Sequence, residues 1–270
     1  MNLHQCFLTN NKCYKAGKKI KPKGVMVHST GANNPTLRRY VQPDDGLLGK
    51  NPNGNHWNQD KPGGSSVCVH AFIGKLKDGS IATYQTLPWD MRGWHSGSGK
   101  KGSANNKYIG FEICEDGLTN SEYFRKVYKE AVELTAYLCK LYHLDPLENG
   151  VVICHNEGHQ MGIASGHADV LHWFPTHGKS MDDFRADVAK EMKGDEVEMS
   201  KEEMQKMVRE EVEKSVAELK PIVYKTVNDI PDWAIDTVKK LIAEGKLKGD
   251  QYGNLNISQD LLRALVIMNR

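Results

Sequence analysis

Four of the chain's 11 histidines fall in one short stretch, ICHNEGHQMGIASGHADVLHWF, which runs over residues 153–174. The stretch contains His155, His159, His167 and His172, with Glu157 and Asp169 between them. Imidazoles and carboxylates are common zinc ligands, and a hydrolytic zinc site usually has three of them and a fourth position for water. The composition of this stretch therefore predicts a metal centre, and the spacing must decide which residues hold the ion.

One candidate arrangement is the helical zincin motif HExxH, in which two histidines one turn apart bind zinc and the glutamate acts as a base. The segment HNEGH has the histidine spacing, but Glu157 stands two residues after His155 and Gly158 lies inside the segment. The apolar run VVIC also precedes it, which is typical of a strand. We therefore reject the helical zincin arrangement.

A site assembled from the ends of strands fits the pattern better. The β-branched run GVMVHST at 24–30 predicts a strand with His28 near its end, and VVIC at 151–154 predicts a strand that stops at His155. If these strands are parallel neighbours, both imidazoles lie over one edge of the sheet. The third ligand must then come from the loop after His155, where Asp169 offers a carboxylate.

The other patterns predict an α/β domain over residues 1–193, with a mixed central β-sheet flanked by helices. The predicted elements are a hairpin over 67–87 that turns at Asp78-Gly79, a strand over 108–114, a helix over 120–142 capped by Asn120, and a closing helix over 184–192. The Asn-, Gly- and Pro-rich segment 31–66 is long for a loop, so we expect it to be functional or disordered.

The composition changes at Gly194. Residues 194–221 are charged, without Gly or Pro in their interior, and predict an exposed helix that serves as a linker or a short coiled coil. Residues 222–270 predict a small helical module: helix, Gly-rich turn, helix. Its run WAIDTVKKLIAEGKLKGD resembles one S-layer-homology repeat, which implies binding of a cell-wall polymer. Oligomerisation through residues 197–270 is the alternative.

Several motifs together resemble the zinc-dependent N-acetylmuramoyl-L-alanine amidases of the "amidase 2" type, which include phage lysins and peptidoglycan recognition proteins. The motifs are VMVHST, GWHSGSG, YIGFEI and CHNEG…HADVLHWF, and they follow the family's order over residues 20–192. The likeness is greatest to phage or prophage endolysins of clostridial type. It implies a peptidoglycan hydrolase that cuts the amide between the lactyl group of N-acetylmuramic acid and L-Ala.

The resemblance also implies roles for single residues. His28, His155 and Asp169 match the zinc ligands, and Glu112 matches the acidic residue that faces the zinc-bound water. His167 stands where the family more often has a Lys that stabilises the oxyanion. The segment between the second and third ligands is longer than in the short members, so His167 or His159 stays open as the third ligand.

These roles imply a mechanism. Zn²⁺ lowers the pKa of its water towards about 7 and polarises the carbonyl. Glu112 takes the proton of the water and passes it to the leaving amine, while His167 stabilises the oxyanion. Two alternatives stay open: a peptidoglycan-binding protein without catalysis, and a zinc peptidase that acts within the stem peptide.

The remaining candidate residues have weaker signals. Trp94 and His95 lie in a Gly/Ser-rich loop and are expected to face the sugar, with simple loop packing as the alternative. His70 is expected to support the ligands from behind. His159, His172 and His177 are expected beside the site or on the surface rather than in the ligand set.

The composition as a whole argues against other classes of protein. With 39% hydrophobic and 26% charged residues and a net charge of +2, the chain is an ordinary globular protein. It has no apolar run near the roughly 20 residues of a membrane span and no basic stripe with interleaved aromatics, so neither membrane nor nucleic-acid binding is expected.

Cysteine usage and the N-terminal residues bear on where the chain is made. The six cysteines form no CxxC pair, which predicts reduced thiols with structural roles. The N-terminal residues lack a charged start followed by an apolar core. We therefore expect synthesis in the cytoplasm without a signal peptide, and action on the cell wall after lysis or release.

Overall fold

The computed structural model describes residues 1–194, 209 and 222–269. The chain divides into two compact units, Met1–Val197 and Glu198–Arg270. The charged helix expected between them lies almost wholly outside the described residues. Its existence, its coiled-coil character and the domain boundaries drawn around it therefore stay predictions.

The first unit is built on a six-stranded mixed sheet with the spatial order β1-β4-β3-β5-β2-β6. Its strands are β1 (Leu3–Gln5), β2 (Gly24–Asn33), β3 (Ala71–Lys75), β4 (Ile81–Gln85), β5 (Tyr108–Glu115) and β6 (Val152–Cys154). Strands β3 and β4 are antiparallel and the other neighbours are parallel. The predicted hairpin, the strand at 108–114 and the mixed sheet are thus confirmed.

Helices flank this sheet. They are α1 (Lys12–Ala16), α2 (Ser121–Tyr142), α3 (His155–Gln160) and α4 (Met181–Gly194). As predicted, Asn120 caps α2, because its side chain accepts a hydrogen bond from the Tyr123 amide. Helix α2 packs on the sheet and α4 packs on α2. The helices at 120–142 and 184–192 are confirmed, the second with an earlier start.

The two faces of the sheet carry different residues, because side chains alternate along a strand. Val25 and Val27 of β2 pack into the core under α2, so Met26 and His28 point to the opposite face. Residues 34–57 cover much of that opposite face. Their buried side chains include Leu37, Tyr40, Val41 and Leu48. The long loop is therefore largely a packed cover, a role that its polar composition did not indicate.

A disulfide joins Cys13 to Cys68 across 55 positions, with the two Cα atoms 6.5 Å apart. The prediction that all the cysteines are free thiols is wrong for this pair. The other four cysteines are free, and three of them are buried. Two cysteines this far apart meet only through the tertiary fold, so their spacing in the sequence gives no local signal.

Residues 222–269 of the second unit contain two helices, α5 (Asp232–Ala243) and α6 (Gln259–Met268), as predicted. The two-residue strands β7 (Val223–Tyr224) and β8 (Ile257–Ser258) pair antiparallel and join the segment before α5 to the start of α6. Val238 and Leu262 are fully buried between the helices. Strands of two residues are too short for a sequence pattern, so this ladder was not predicted.

Across both units, no helix within the described ranges has the length and apolar character needed to cross a membrane.

Candidate metal centre

Two histidines reach the site from neighbouring parallel strands. His28 lies in β2, and Val27 beside it is in register with Cys154, the last residue of β6. His155 follows at once as the first residue of α3. Both side chains are almost fully buried. The predicted parallel arrangement thus brings the two imidazoles together, although His28 lies in the middle of β2, which continues to Asn33, and not at its end.

Asp169 completes a triangle of donor atoms. Its Oδ2 atom lies 3.0 Å from Nδ1 of His28 and 3.7 Å from Nδ1 of His155. The two Nδ1 atoms are 3.2 Å apart. The Asp169 carbonyl also accepts a hydrogen bond from the His155 amide, which fixes this loop against the start of α3. Among the described residues, these three form the group that could hold a metal ion.

This triangle suits a small divalent cation. Tetrahedral zinc with bonds of about 2.0–2.1 Å places its ligand atoms about 3.3 Å apart, close to the three separations found here. Burial and the neighbouring His28 lower the pKa of His155 to about 4, so its imidazole is neutral. Burial raises the pKa of Asp169, but the hydrogen bond with His28 and the charges of His28 and His155 together outweigh burial and leave that pKa lowered. Neutral imidazole and charged carboxylate are the forms that bind metal.

The α3 segment corrects one point about the zincin pattern. HNEGHQ forms a short helix of six residues, although a loop was expected after His155. His159 nevertheless does not join His155, because its Nδ1 atom lies 3.3 Å from the carbonyl oxygen of Ala164. Glu157 accepts hydrogen bonds from the Cys154 amide and from Arg185, so it is held away from the site. The zincin arrangement fails for these reasons.

Glu112 faces the same cleft from β5, where it is in register with His28. Its Oε2 atom is buried and has no hydrogen-bond partner among the described residues. Burial, then the charges of Asp169 and Glu115, raise the pKa of Glu112 well above its usual value. A buried carboxyl without a partner is costly for folding, so this residue is a candidate for chemistry rather than for packing.

His167 lies at the exposed side of the triangle. Its ring centroid is 4.6 Å from that of His155, with the rings inclined by 50°. It lines a cleft of about 520 Å³ together with the three donors, Glu112 and Trp94. The structure therefore places it where a substrate would meet the centre, outside the group of donor atoms.

Comparison with known proteins bears on what this centre is for. The family model described as Amidase_2, N-acetylmuramoyl-L-alanine amidase, matches residues 18–174, more than half of the chain. The chain belongs to this family. The match contains the three donors, Glu112 and His167.

One curated relative of this Amidase_2 chain is the N-acetylmuramoyl-L-alanine amidase CwlH of Bacillus subtilis (strain 168). The two are 47% identical over 107 residues, which is 38% of this chain and 33% of the relative. The chain thus spans about a third of the length of the curated relative that it matches.

Solved structures show weaker likenesses. The hydrolase AmiA of Staphylococcus aureus, solved with its ligand, has a TM-score of 0.48 and 20% identity over 71% of this chain and 82% of its own. The catalytic domain of XlyA has a TM-score of 0.47 and 22% identity over 70% of this chain and 99% of its own. These values are too low to add to the family assignment.

Trp94 and His95 of this Amidase_2 chain, although adjacent, lie in different surroundings. Trp94 is 38% exposed at the mouth of the cleft, with the Arg92 guanidinium 5.2 Å from its ring. His95 is half-buried behind His28, and its Nδ1 atom lies 2.9 Å from His28 Nε2. Trp94 is thus exposed at the cleft, where its contact with a sugar stays a prediction, whereas His95 lies against His28, one of the three candidate ligands.

The other histidines divide between support and surface. His70 is fully buried and bonds to the Met91 carbonyl and to the Gly110 backbone, 5.9 Å behind the His95 ring. His172 lies at the rim of the cleft, with its Nε2 atom 2.9 Å from the buried Glu115 carboxylate. His177 stacks on Phe124, at a centroid distance of 4.2 Å, away from the cleft.

Two features of the site had no sequence signal. Ser165 lies 3.3 Å from His155 Nε2 through its hydroxyl, in a loop whose course the sequence does not reveal. The Cys13–Cys68 disulfide lies under the mouth of the cleft, because Cys68 exchanges backbone hydrogen bonds with Trp94. The GWHSG motif marks the loop that carries Trp94 but does not indicate which residues this loop contacts.

Proposed function

We propose that this chain is a zinc-dependent N-acetylmuramoyl-L-alanine amidase that cleaves peptidoglycan. The observation that carries the proposal is the triangle of His28, His155 and Asp169 donor atoms beside Glu112, whose buried Oε2 atom has no hydrogen-bond partner within the described part of the chain. The family assignment and the 47% identity to CwlH over 107 residues support the same activity. The amide between the lactyl group and L-Ala is the proposed bond.

His28, His155 and Asp169 would hold the zinc ion. Zinc bound there supplies a Lewis acid that polarises a carbonyl and acidifies water. A three-ligand site with an open side is typical of catalytic rather than structural zinc. The cleft supplies that open side, since Glu112, His167 and Trp94 line it around the triangle.

The chain's own groups then have distinct tasks. Glu112 takes a proton from the attacking water at its Oε2 atom and returns it to the leaving nitrogen. A raised pKa suits a carboxyl that must both accept and release a proton. His167 donates a hydrogen bond to the oxygen of the attacked carbonyl, and Trp94 stacks on the saccharide.

One digestion tests the assignment. The full chain is incubated with purified peptidoglycan, with and without a chelator, and the fragments are identified by mass spectrometry. We expect stem peptides that begin at L-Ala, released only when zinc is present. Cleavage inside the stem peptide would instead show a zinc peptidase. Binding of the polymer without any release would show a non-catalytic protein.

We further propose that the second unit binds a secondary cell-wall polymer. Its helix–turn–helix pattern and the exposed Trp233 and Tyr252 side chains support this role. Sedimentation with cell walls stripped of secondary polymers should fall below sedimentation with intact walls, and Trp233→Ala should reduce the difference. Equal sedimentation, together with a dimer or larger species in analytical ultracentrifugation, would favour oligomerisation instead.

A further inference from the structure

His28 makes contacts through both ring nitrogens. Its Nδ1 faces the metal triangle, and its Nε2 lies 2.9 Å from Nδ1 of His95. The other nitrogen of His95, Nε2, lies 3.4 Å from the carbonyl oxygen of Tyr108. A carbonyl oxygen only accepts, so His95 Nε2 carries the hydrogen and His95 Nδ1 accepts. His28 must then donate from Nε2, which turns its Nδ1 towards Asp169.

The same argument applies to His155, whose Nε2 atom has a different partner. Its Nε2 atom lies 3.3 Å from the Ser165 hydroxyl oxygen. That hydroxyl donates its own hydrogen to the Ser96 carbonyl, at 3.2 Å. Ser165 therefore accepts from His155 Nε2–H, because its single hydrogen is already used. The Nδ1 lone pair of His155 is left facing His28 and Asp169.

The His95 ring occupies a space that two glycines leave open. A Cβ atom on Gly110 would lie 2.4 Å from His95 Nδ1, and one on Gly93 would lie 3.0 Å from its Cδ2. The fully buried Asn105 accepts hydrogen bonds from the amides of His95 and Ser96, at 2.7 and 3.1 Å. The two glycines thus leave room for the His95 ring, and the Asn105 side chain holds the backbone of His95 and Ser96.

We propose that His95 and Ser165 are positioning residues that keep a hydrogen on Nε2 of His28 and of His155, so that both rings turn Nδ1 towards Asp169 and bind an ion through that atom. The proposal rests on the metal centre proposed above. His95 acts on one ligand directly, and its neighbour Ser96 acts on the other through Ser165. Partners of this kind orient ligating imidazoles and fix their tautomers.

The first test measures zinc affinity of the full chain by competition with a chromophoric chelator. His95→Phe keeps a ring but cannot accept a hydrogen bond, and we expect it to weaken zinc binding about 10- to 100-fold. His95→Asn places an acceptor near the position of Nδ1 and should restore most of the affinity. His4→Phe, the same change in β1, is the matched control and should bind like the wild type.

The second test measures the tautomers themselves. Long-range ¹H–¹⁵N correlation spectra of the metal-free chain should show a hydrogen on Nε2 of both His28 and His155. His95→Phe should convert His28 to a mixture of tautomers and leave His155 unchanged. Ser165→Ala should do the reverse, with zinc binding weakened about 10-fold. A role in folding alone would lower stability without this selective exchange.

The outcomes separate the two proposals. A wild-type chain that binds no zinc would overturn the metal centre itself. Zinc binding by the wild type, with unchanged affinity and unchanged tautomers in the folded His95→Phe and Ser165→Ala variants, would overturn the positioning roles alone. Ser165→Ala removes a single oxygen atom, so it keeps the test decisive if His95→Phe does not fold.

Discussion

Glu112 lies in surroundings that oppose its charge, since its Oε2 atom is buried and lacks a partner among the described residues. We expect Glu112→Gln to keep zinc and fold while peptidoglycan hydrolysis falls about 10²- to 10⁴-fold, because the proton carrier is gone. Release of stem peptides and the zinc content of the purified protein are the two measurements. Glu122→Gln, an exposed change in α2, is the control. Full activity of Glu112→Gln would refute the role.

His167 and Asp169 are distinguished by what their loss removes. Asp169 belongs to the donor triangle, so Asp169→Ala should lose zinc and activity together. His167 lies beside the triangle, so His167→Ala should keep zinc and lower kcat about 10²- to 10³-fold, as expected for a missing oxyanion donor. Elemental analysis of both variants gives the answer. If the His167→Ala variant is purified without zinc, His167 is a ligand.

The sequence predicted the members of this centre better than their support. The runs around His28 and before His155 predicted neighbouring strands, the loop after His155 offered Asp169, and the resemblance to a known family added Glu112. The partners of those ligands were not predictable. His95 was expected to face a sugar, and Ser165 was not singled out, because a hydrogen bond between residues 155 and 165 depends on the path of an irregular loop.

Among the elements, β2 depends on a glycine at its start. A Cβ atom on Gly24 would lie 2.4 Å from the Val151 carbonyl oxygen and 2.5 Å from the Tyr108 ring. We expect Gly24→Ala to lower the free energy of unfolding by about 1–3 kcal/mol, as overpacking usually does. Urea denaturation measures the change. Gly194→Ala, where nothing lies within 4 Å of the added atom, should be neutral or slightly stabilising.

The strands and long helices were predictable because their side-chain patterns are regular. The alternation along β2 and the spacing along α2 each indicate a buried face, and both elements are found near the expected bounds. Residues 34–57 lack such a pattern, although they bury Leu37, Tyr40 and Leu48 against the second face. Irregular segments hide their packing role in the sequence, because no fixed period links their apolar residues.

At the scale of the whole molecule, the Cys13–Cys68 disulfide joins the N-terminal segment to the β-bridge between Cys68 and Trp94. Because it closes a long loop, reduction should lower the free energy of unfolding by about 2–4 kcal/mol. Thermal melts with and without dithiothreitol measure the effect. The double variant Cys13→Ser/Cys68→Ser should have the melting temperature of the reduced wild type, both with and without dithiothreitol. A reductant-independent wild type would contradict this contribution.

His28 and Asp169 touch across 141 positions of chain. During synthesis or refolding, the metal site therefore stays incomplete until the segment with Asp169 has packed beside β2. Zinc binding then reports on the last stage of folding. In stopped-flow refolding, quenching of a fluorescent zinc indicator's signal should lag behind the recovery of far-ultraviolet circular dichroism, and zinc taken up in step with the earliest ellipticity would break that order.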